Sequence, residues 1–324
     1  MGKYIDCIDS KNRLSISEAN REEIRIALTG CIPSISTPFK KGGEIDYSSL
    51  SNMIEFNIEN GSKVIMLTAG NSHYVCLRER EISEITKLVI DQVGGRAMVI
   101  TADRYFDTSH AVEFAAHAAE IGADVLMVMP PDWGRSGSSR TFMEHYEEVS
   151  KKIPVMLVTN VFIQRGAAFG LETIEKCLSL KNIVAIKDDF CGAFSRKMSL
   201  LAHESWAVVS GGQKQNHLNN QPYGCDGYLS TYQIFKPSVA RLYWECVIRS
   251  DIQGAVSVIE KYDMPLFDLI TGFDGGFDAG IHGALEIFGL AERWRRKPYV
   301  TIGDEEYEKL QSFFASQPGI DAAV

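Results

Sequence analysis

Eight short apolar runs, rich in residues that favour β-strands, recur along the first 235 residues and constrain the fold more than any other feature. Segments with helical spacing of apolar residues separate them. Runs that are apolar throughout are typical of parallel strands covered on both faces. We therefore predict an α/β fold, a (β/α)8 TIM barrel. The predicted strands lie within residues 30–37, 62–69, 95–103, 123–130, 154–160, 182–188, 206–212 and 227–232.

A doubly wound open sheet is the alternative arrangement of the same units. It usually has fewer strands and a glycine-rich first turn. Here the first run ends in Ser-Thr-Pro-Phe at residues 36–39, so no dinucleotide-binding fingerprint is present. The patterns after the last run are helical. We divide the chain into an N-terminal extension (1–27), a barrel (28–235) and a C-terminal helical extension (236–324).

Charge and composition exclude several classes of partner. Lysine and arginine number 33 against 42 acidic residues, a net charge of −9, so we expect no nucleic-acid partner. No apolar run approaches the roughly 20 residues that span a bilayer, so we expect no membrane partner. The polar N-terminal segment lacks an apolar signal region, and the 7 cysteines form no Cys-x-x-Cys pair. We predict a cytoplasmic protein.

Lys187 is the main candidate for chemistry. It follows the apolar run at residues 183–186, and active sites of such barrels lie at the carboxyl ends of the strands. A buried ammonium is costly unless it is paired or its pKa falls, and a neutral amine can attack a carbonyl carbon to form a Schiff base. The alternative is a structural lysine that reaches solvent or pairs with Asp188.

Five segments, in order and at barrel spacing, carry recognisable motifs. They are GCIPSISTPFKKGGEIDYSSL at 30–50, AAEIGADVLMVMPP at 118–131, NIVAIKDD at 182–189, GCDGYLSTYQIFKP at 224–237 and GALEIFGLAERWRRKPYVTI at 283–302. Together they resemble the dihydrodipicolinate synthase and N-acetylneuraminate lyase family over roughly residues 28–315. NIVAIKDD matches the strand that carries the imine-forming lysine of that family. The resemblance therefore implies that Lys187 forms the Schiff base.

The chain departs from the family pattern at two strand ends. After strand 2, Ala-Gly-Asn-Ser-His at 69–73 replaces the usual Gly-Thr-Thr-Gly-Glu, although Asn71 and Ser72 can still donate hydrogen bonds to a carboxylate. After strand 5, Thr159 and Asn160 stand where the family has Tyr-Asn, whose phenol relays protons. A threonine hydroxyl is far too weak an acid for that role. We predict His73 as the proton shuttle, with a hydrogen-bonded loop histidine as the alternative.

The resemblance and the strand ends together give the predicted site. Catalytic candidates are Lys187, Thr159 and His73. Arg165 stands one position from the family arginine that follows strand 5, and Trp133 replaces a tyrosine that many synthases lend across a subunit interface. No cluster has metal-ligand spacing, so we predict no metal and no cofactor. The predicted substrate-binding residues are Thr37, Gly70, Asn71, Ser72, Asn160, Arg165, Gly211, Gly212 and Leu229.

Three functions remain open at this stage. The first is a Schiff-base-forming lyase, an aldolase or dehydratase, that acts on a pyruvate-like 2-oxo acid. The second is a catalytically silent protein that binds 2-oxo acids on the same scaffold. The third is a barrel enzyme that binds a phosphorylated sugar through Gly211 and Gly212, although adjacent glycines equally suit a tight turn. The resemblance also implies a homo-oligomer, a dimer or tetramer.

Overall fold

The eight predicted strands form one parallel sheet that closes into a barrel, so the predicted (β/α)8 fold is confirmed and the open sheet is wrong. The computed structural model describes Lys3 and residues 7–8, 14–15, 17–104, 107–132 and 134–317. A short antiparallel hairpin, Cys7–Ile8 with Leu14–Ser15, precedes the barrel. The barrel strands are β1 Gly30–Ile32, β2 Val64–Met66, β3 Met98–Ala102, β4 Val125–Val128, β5 Val155–Val158, β6 Ile183–Asp188, β7 Ala207–Ser210 and β8 Gly227–Leu229.

Contacts of β1 with β8 on one side and with β2 on the other close the barrel. β8 pairs with β1, with Gly227 opposite Gly30. Between β1 and β2 the connection is a single parallel bridge, Ser34 with Met66, beside a bond from Ile35 N to Met66 O at 3.0 Å. The junction between β1 and β2 therefore has fewer paired residues than any of the other seven junctions between strands.

Helices follow the strands, as the spacing predicts. α1 precedes the barrel and covers its amino-terminal end, where the Arg21 guanidinium donates to Ile183 O at 3.0 Å. Among the described residues, no helix is long and apolar enough to cross a membrane. The helices are α1 Glu18–Leu28, α2 Tyr47–Glu59, α3 Glu79–Val93, α4 Thr108–Ile121, α5 Ser139–Ser150, α6 Asn160–Arg165, α7 Ala167–Cys177, α8 Ala193–Ala202, α9 Gln213–Asn220, α10 Pro237–Ile248, α11 Ile252–Val258, α12 Met264–Thr271, α13 Gly276–Ile287 and α14 Asp304–Ser316, with a π-helical turn at Ile259–Asp263.

Alternation along the strands separates the two larger apolar clusters of the core. Met127, Met156 and Val209 belong to the cluster that fills the barrel. Their neighbours Leu126 and Val155 belong to the cluster between the sheet and the surrounding helices. Successive side chains of a strand point to opposite faces, so both faces of these strands are covered, as their apolar sequences predict.

The C-terminal helices share the apolar core of the barrel. Leu266, Ile270, Leu285 and Phe314 are fully buried in the same cluster as the barrel interior. A buried ion pair adds to this contact, because Lys214 Nζ on α9 donates to Asp263 Oδ1 in the π-helical turn at 2.6 Å. The C-terminal region is thus packed against the barrel and against its helix α9.

His217 on α9 is a buried histidine whose burial has a pH consequence. Its Nδ1 lies 2.8 Å from the Tyr243 hydroxyl, and burial lowers its pKa from 6.5 to about 4. The unfolded chain therefore binds a proton that the folded chain rejects, so stability is fully present above about pH 6.5 and falls as the pH drops toward 4. Between pH 7.5 and pH 5, we expect the free energy of unfolding of His217→Gln to fall by about 2 kcal/mol less than that of the parent protein.

Urea unfolding at the two pH values measures this difference. Comparison with the parent protein is needed because other buried groups act with the opposite sign, such as Asp103, whose pKa burial raises to about 8. His117→Gln, at a partly exposed position of α4, is the matched control and should follow the parent. If the stability of His217→Gln changed with pH as much as that of the parent protein, burial of His217 would not be a cause of the pH dependence.

Candidate active site

Lys187 points into the barrel because of its place in the alternation of β6. Its neighbour Ile186 packs in the outer cluster, whereas Ala185 packs in the inner one. Lys187 lies opposite Val158 on β5 and Val209 on β7, and both of these belong to the inner cluster. The lysine therefore continues the inward face, where its side chain is only 9% exposed.

A cavity of about 410 Å³ opens above Lys187 at the carboxyl ends of the strands. Four barrel strands, the loops and helix starts that follow several strands, and α13 contribute to it. This is the position at which barrels of this type hold their active sites. The lining residues are Thr68, Ala69, Gly70, Asn71, Val75, Met127, Met129, Val158, Asn160, Lys187, Asp189, Gly211, Gln213, Leu229 and Phe277.

The ammonium of Lys187 is paired with Asp189, not with Asp188. Lys187 Nζ donates to Asp189 Oδ1, and the Asp189 side chain is 32% exposed in the cavity. Asp188 points the other way, because it follows Lys187 directly in the strand, and it accepts a hydrogen bond from Thr159 Oγ1 at 2.6 Å. The predicted alternative of a Lys187–Asp188 pair is therefore wrong. Burial raises the pKa of Asp188, and the hydrogen bond from Thr159 partly offsets that rise.

The two glycines after β7 leave room for neighbouring side chains. A Cβ at Gly211 would collide with Asp189 Oδ1 and would lie 2.7 Å from Lys187 Nζ. A Cβ at Gly212 would collide with the side chain of Asn216. Close approach of protein side chains thus accounts for both glycines, which favours a packed turn over a phosphate cradle.

Six of the predicted site residues line the cavity together, and six do not. Those that line it are Gly70, Asn71, Asn160, Lys187, Gly211 and Leu229. Those outside the lining are Thr37, Ser72, His73, Thr159, Arg165 and Gly212.

Thr37 and Ser72 are engaged with backbone groups. Thr37 Oγ1 donates to Ser72 O at 2.6 Å. Ser72 Oγ donates to Ile35 O at 2.6 Å and accepts from Thr68 N at 3.0 Å. These contacts join the loops after β1 and β2, so both hydroxyls support the cavity wall from behind.

His73 faces the C-terminal helices and not the cavity. Its backbone is left-handed, with φ of 58°, and its ring stacks on Phe39 and Tyr299. Nδ1 lies 3.2 Å from Gly70 O, and Nε2 lies 3.1 Å from His282 Nε2. Burial, and to a smaller extent Arg295, lower the pKa of His73. The structure does not bring the predicted proton shuttle together with Lys187.

Thr159 and Arg165 also make contacts outside the cavity. Thr159 is fully buried, and its hydroxyl bonds to Asp188. Arg165 Nη1 forms an ion pair with Asp132 Oδ2 at 2.8 Å, and its guanidinium lies over the Phe169 ring. Trp133, the predicted interface residue, lies outside the described residues.

Asp189, Gln213 and Phe277 line the cavity but are not among the predicted site residues. Asp189 had a usable signal, because it stands two residues after Lys187 and so follows the same face. Gln213 begins α9 in a left-handed conformation and accepts from Thr231 N at 2.8 Å. Phe277 comes from α13, far along the chain, and nothing local predicts its position. Among the described residues, no group of three or more His, Cys, Asp or Glu side chains could hold a metal ion.

Comparisons with known proteins agree with this fold. The model of the "Dihydrodipicolinate synthetase family" matches residues 27–317. The 4-hydroxy-tetrahydrodipicolinate synthase of Syntrophus aciditrophicus is 32% identical over 285 residues, which cover 87% of this chain and 96% of that protein.

Two solved structures share the fold at lower identity. YagE, a prophage protein of the dihydrodipicolinic acid synthase family from E. coli K12, solved in complex with pyruvate, superposes with a TM-score of 0.76 at 22% identity, covering 89% of this chain and 97% of its own. The N-acetylneuraminate lyase of Mycoplasma synoviae superposes with a TM-score of 0.77 at 20% identity, covering 90% of this chain and 98% of its own.

Proposed function

The chain belongs to the dihydrodipicolinate synthetase family, and we propose that it is a Schiff-base-forming lyase that acts on a pyruvate-like 2-oxo acid through Lys187. The observation that carries the proposal is the inward-facing Lys187 ammonium, which is nearly buried and opens onto the cavity at the carboxyl ends of the strands. An amine there can meet a small carbonyl compound while the barrel excludes bulk water.

The proposed reaction starts with attack of the Lys187 amine on the 2-oxo carbon. Loss of water gives a protonated imine, which draws electrons from the adjacent carbon. An enamine then forms between the imine carbon and the adjacent carbon. In an aldolase its formation breaks the carbon–carbon bond from the adjacent carbon to the rest of the substrate, and in a dehydratase the enamine expels an oxygen from the carbon beyond. The same intermediate serves both reactions, so the proposal covers both.

Substrate contacts are proposed from the predicted residues that line the cavity. Asn71 and Gly70, after β2, are candidates for the carboxylate, and Asn160, after β5, is a candidate for the 2-oxo oxygen or the group beyond it. Gly211 and Leu229 complete the wall. The pyruvate bound to the E. coli relative supports pyruvate as the first compound to test.

A catalytically silent 2-oxo-acid-binding protein is the second candidate, and one observation favours it. Among the described residues that line the cavity, none is a tyrosine or a histidine. A protein that binds a 2-oxo acid without turnover would need no such group.

A cytoplasmic location and a homo-oligomeric assembly, dimer or tetramer, complete the proposal.

Borohydride trapping tests the proposed function. Incubation with pyruvate and sodium borohydride should give a reduced adduct on Lys187, located by peptide mass spectrometry, and omission of pyruvate is the control. Absence of any adduct with pyruvate and with a panel of 2-oxo acids would sink the lyase proposal. Thermal stabilisation by a 2-oxo acid without an adduct would instead favour the silent protein.

A further inference from the structure

We propose that Asp189 is the proton-transfer residue of the site, a role that rests on the proposed Schiff-base function of Lys187. Among the described residues lining the cavity, only Lys187 and Asp189 carry ionisable side chains. Imine formation requires protons to move between an amine and a carbonyl oxygen, so a nearby acid–base group is needed. Asp189 is the group in place, because Lys187 Nζ already donates to its Oδ1.

The backbone holds Asp189 at this position through Thr159. The Thr159 hydroxyl donates to Asp188 Oδ1 at 2.6 Å, and Asp189 N donates to the Thr159 oxygen at 3.4 Å. Thr159 is fully buried, so these contacts are shielded from water. One threonine thus fixes the segment that carries the carboxylate, while the carboxylate itself remains 32% exposed to the cavity.

Gly211 provides the space for the pair. A Cβ at that position would collide with Asp189 Oδ1 and would lie 2.7 Å from Lys187 Nζ. The carboxylate and the ammonium therefore occupy the volume that the side chain of any other residue at position 211 would fill. This arrangement fits a carboxylate that must stay within reach of the lysine nitrogen and of whatever bonds to it.

The proton balance of imine formation closes with Asp189 alone. Asp189 takes one proton from the ammonium, and the neutral amine attacks the carbonyl carbon, forming the C–N bond and breaking the C=O π bond. Asp189 delivers that proton to the oxygen, which becomes the carbinolamine hydroxyl. It then takes a second proton from nitrogen and delivers it to the hydroxyl, which leaves as water as the C=N bond forms. The protonated imine keeps the third proton, and Asp189 ends as a carboxylate.

The rate of borohydride-trapped adduct formation with pyruvate, sampled over time, tests this role. We expect Asp189→Asn to slow adduct formation by about 10²- to 10⁴-fold, the range typical of a general acid–base group. Asp189→Glu, which keeps the carboxylate, should recover part of the rate. Asp124→Asn is the matched control, since it removes a buried carboxylate that precedes β4, accepts a hydrogen bond from Val99 N and lies outside the cavity lining, and it should form the adduct at the parental rate.

Chemical rescue separates proton transfer from mere positioning of Lys187. Asp189→Ala leaves a space beside the amine, and added formate should accelerate its adduct formation while leaving the parent unaffected. Parental rates in Asp189→Asn would overturn the proposal, and so would a slow Asp189→Ala that formate does not accelerate. If the parent itself forms no adduct with any 2-oxo acid, the proposed function fails first, which is distinguishable from both results.

Discussion

Replacing Lys187 by methionine is expected to abolish the borohydride-trapped adduct and to lower turnover of the protein's substrate by about 10³-fold or more. Methionine has a similar unbranched shape but no amine, so it can fill the same space without forming an imine. Because Lys187 is the only lysine among the described residues that line the cavity, no other amine is placed to substitute for it. Peptide mass spectrometry of the trapped protein and the kcat for its substrate measure the two effects.

Lys187→Arg is the matched control for this prediction. Arginine keeps a positive charge beside Asp189, but its guanidinium does not lose a proton in proteins and cannot form the imine. The arginine variant should therefore be as inactive as the methionine variant. Turnover that survives in either variant, or an adduct on a different lysine, would contradict the assignment of Lys187 as the nucleophile.

The largest expected effect on stability is at Lys214. We expect Lys214→Met to lower the free energy of unfolding by about 3–5 kcal/mol, because it leaves Asp263 without its cation in the interior. Both side chains of this pair are 0% exposed, and Nζ donates to Asp263 Oδ1 at 2.6 Å. Burial raises the pKa of Asp263 and Lys214 opposes that shift, so loss of the lysine leaves desolvation unopposed. Urea unfolding at neutral pH measures the change.

Two further variants show whether the unpaired carboxylate is the cause. The double variant Lys214→Met with Asp263→Leu should recover most of the loss, because an apolar pair replaces the ion pair without leaving a charge behind. Lys87→Met breaks the exposed Lys87–Asp91 pair on α3 and should change stability by no more than about 0.5 kcal/mol. A double variant as unstable as Lys214→Met would show that lost packing, not the lone carboxylate, dominates.

The barrel was predictable because its strands have a simple physical signature. Parallel strands covered on both faces must be apolar along their whole length, and each of the eight observed strands lies within a predicted run. The inward direction of Lys187 follows from the same alternation, since Ala185 and Lys187 share one face.

The cavity wall was harder to predict because small polar side chains at strand ends have two competing uses. Thr37 and Ser72 bond to backbone carbonyl groups of neighbouring loops instead of facing the cavity. His73 turns away because its left-handed backbone directs the ring toward His282. Sequence position marks the strand end, but only the loop conformation decides which way the side chain points.

Contacts between distant parts of the chain were beyond the reach of sequence patterns. Phe277 lies in the cavity wall, and Asp263 neutralises Lys214, yet both come from the C-terminal helices. Neither residue stands in a distinctive local pattern. Their roles depend on how the helices after β8 pack on the barrel.

The place of Phe277 separates two kinds of sequence change that this chain can accept. Lys187 lies on a barrel strand whose backbone pairs with both of its neighbours, so changes near it disturb the whole sheet. Phe277 belongs to α13, which is not one of the paired strands of the barrel sheet, yet it borders the same cavity. A change in this one helix can therefore alter which molecules fit the cavity without altering the strand that carries Lys187.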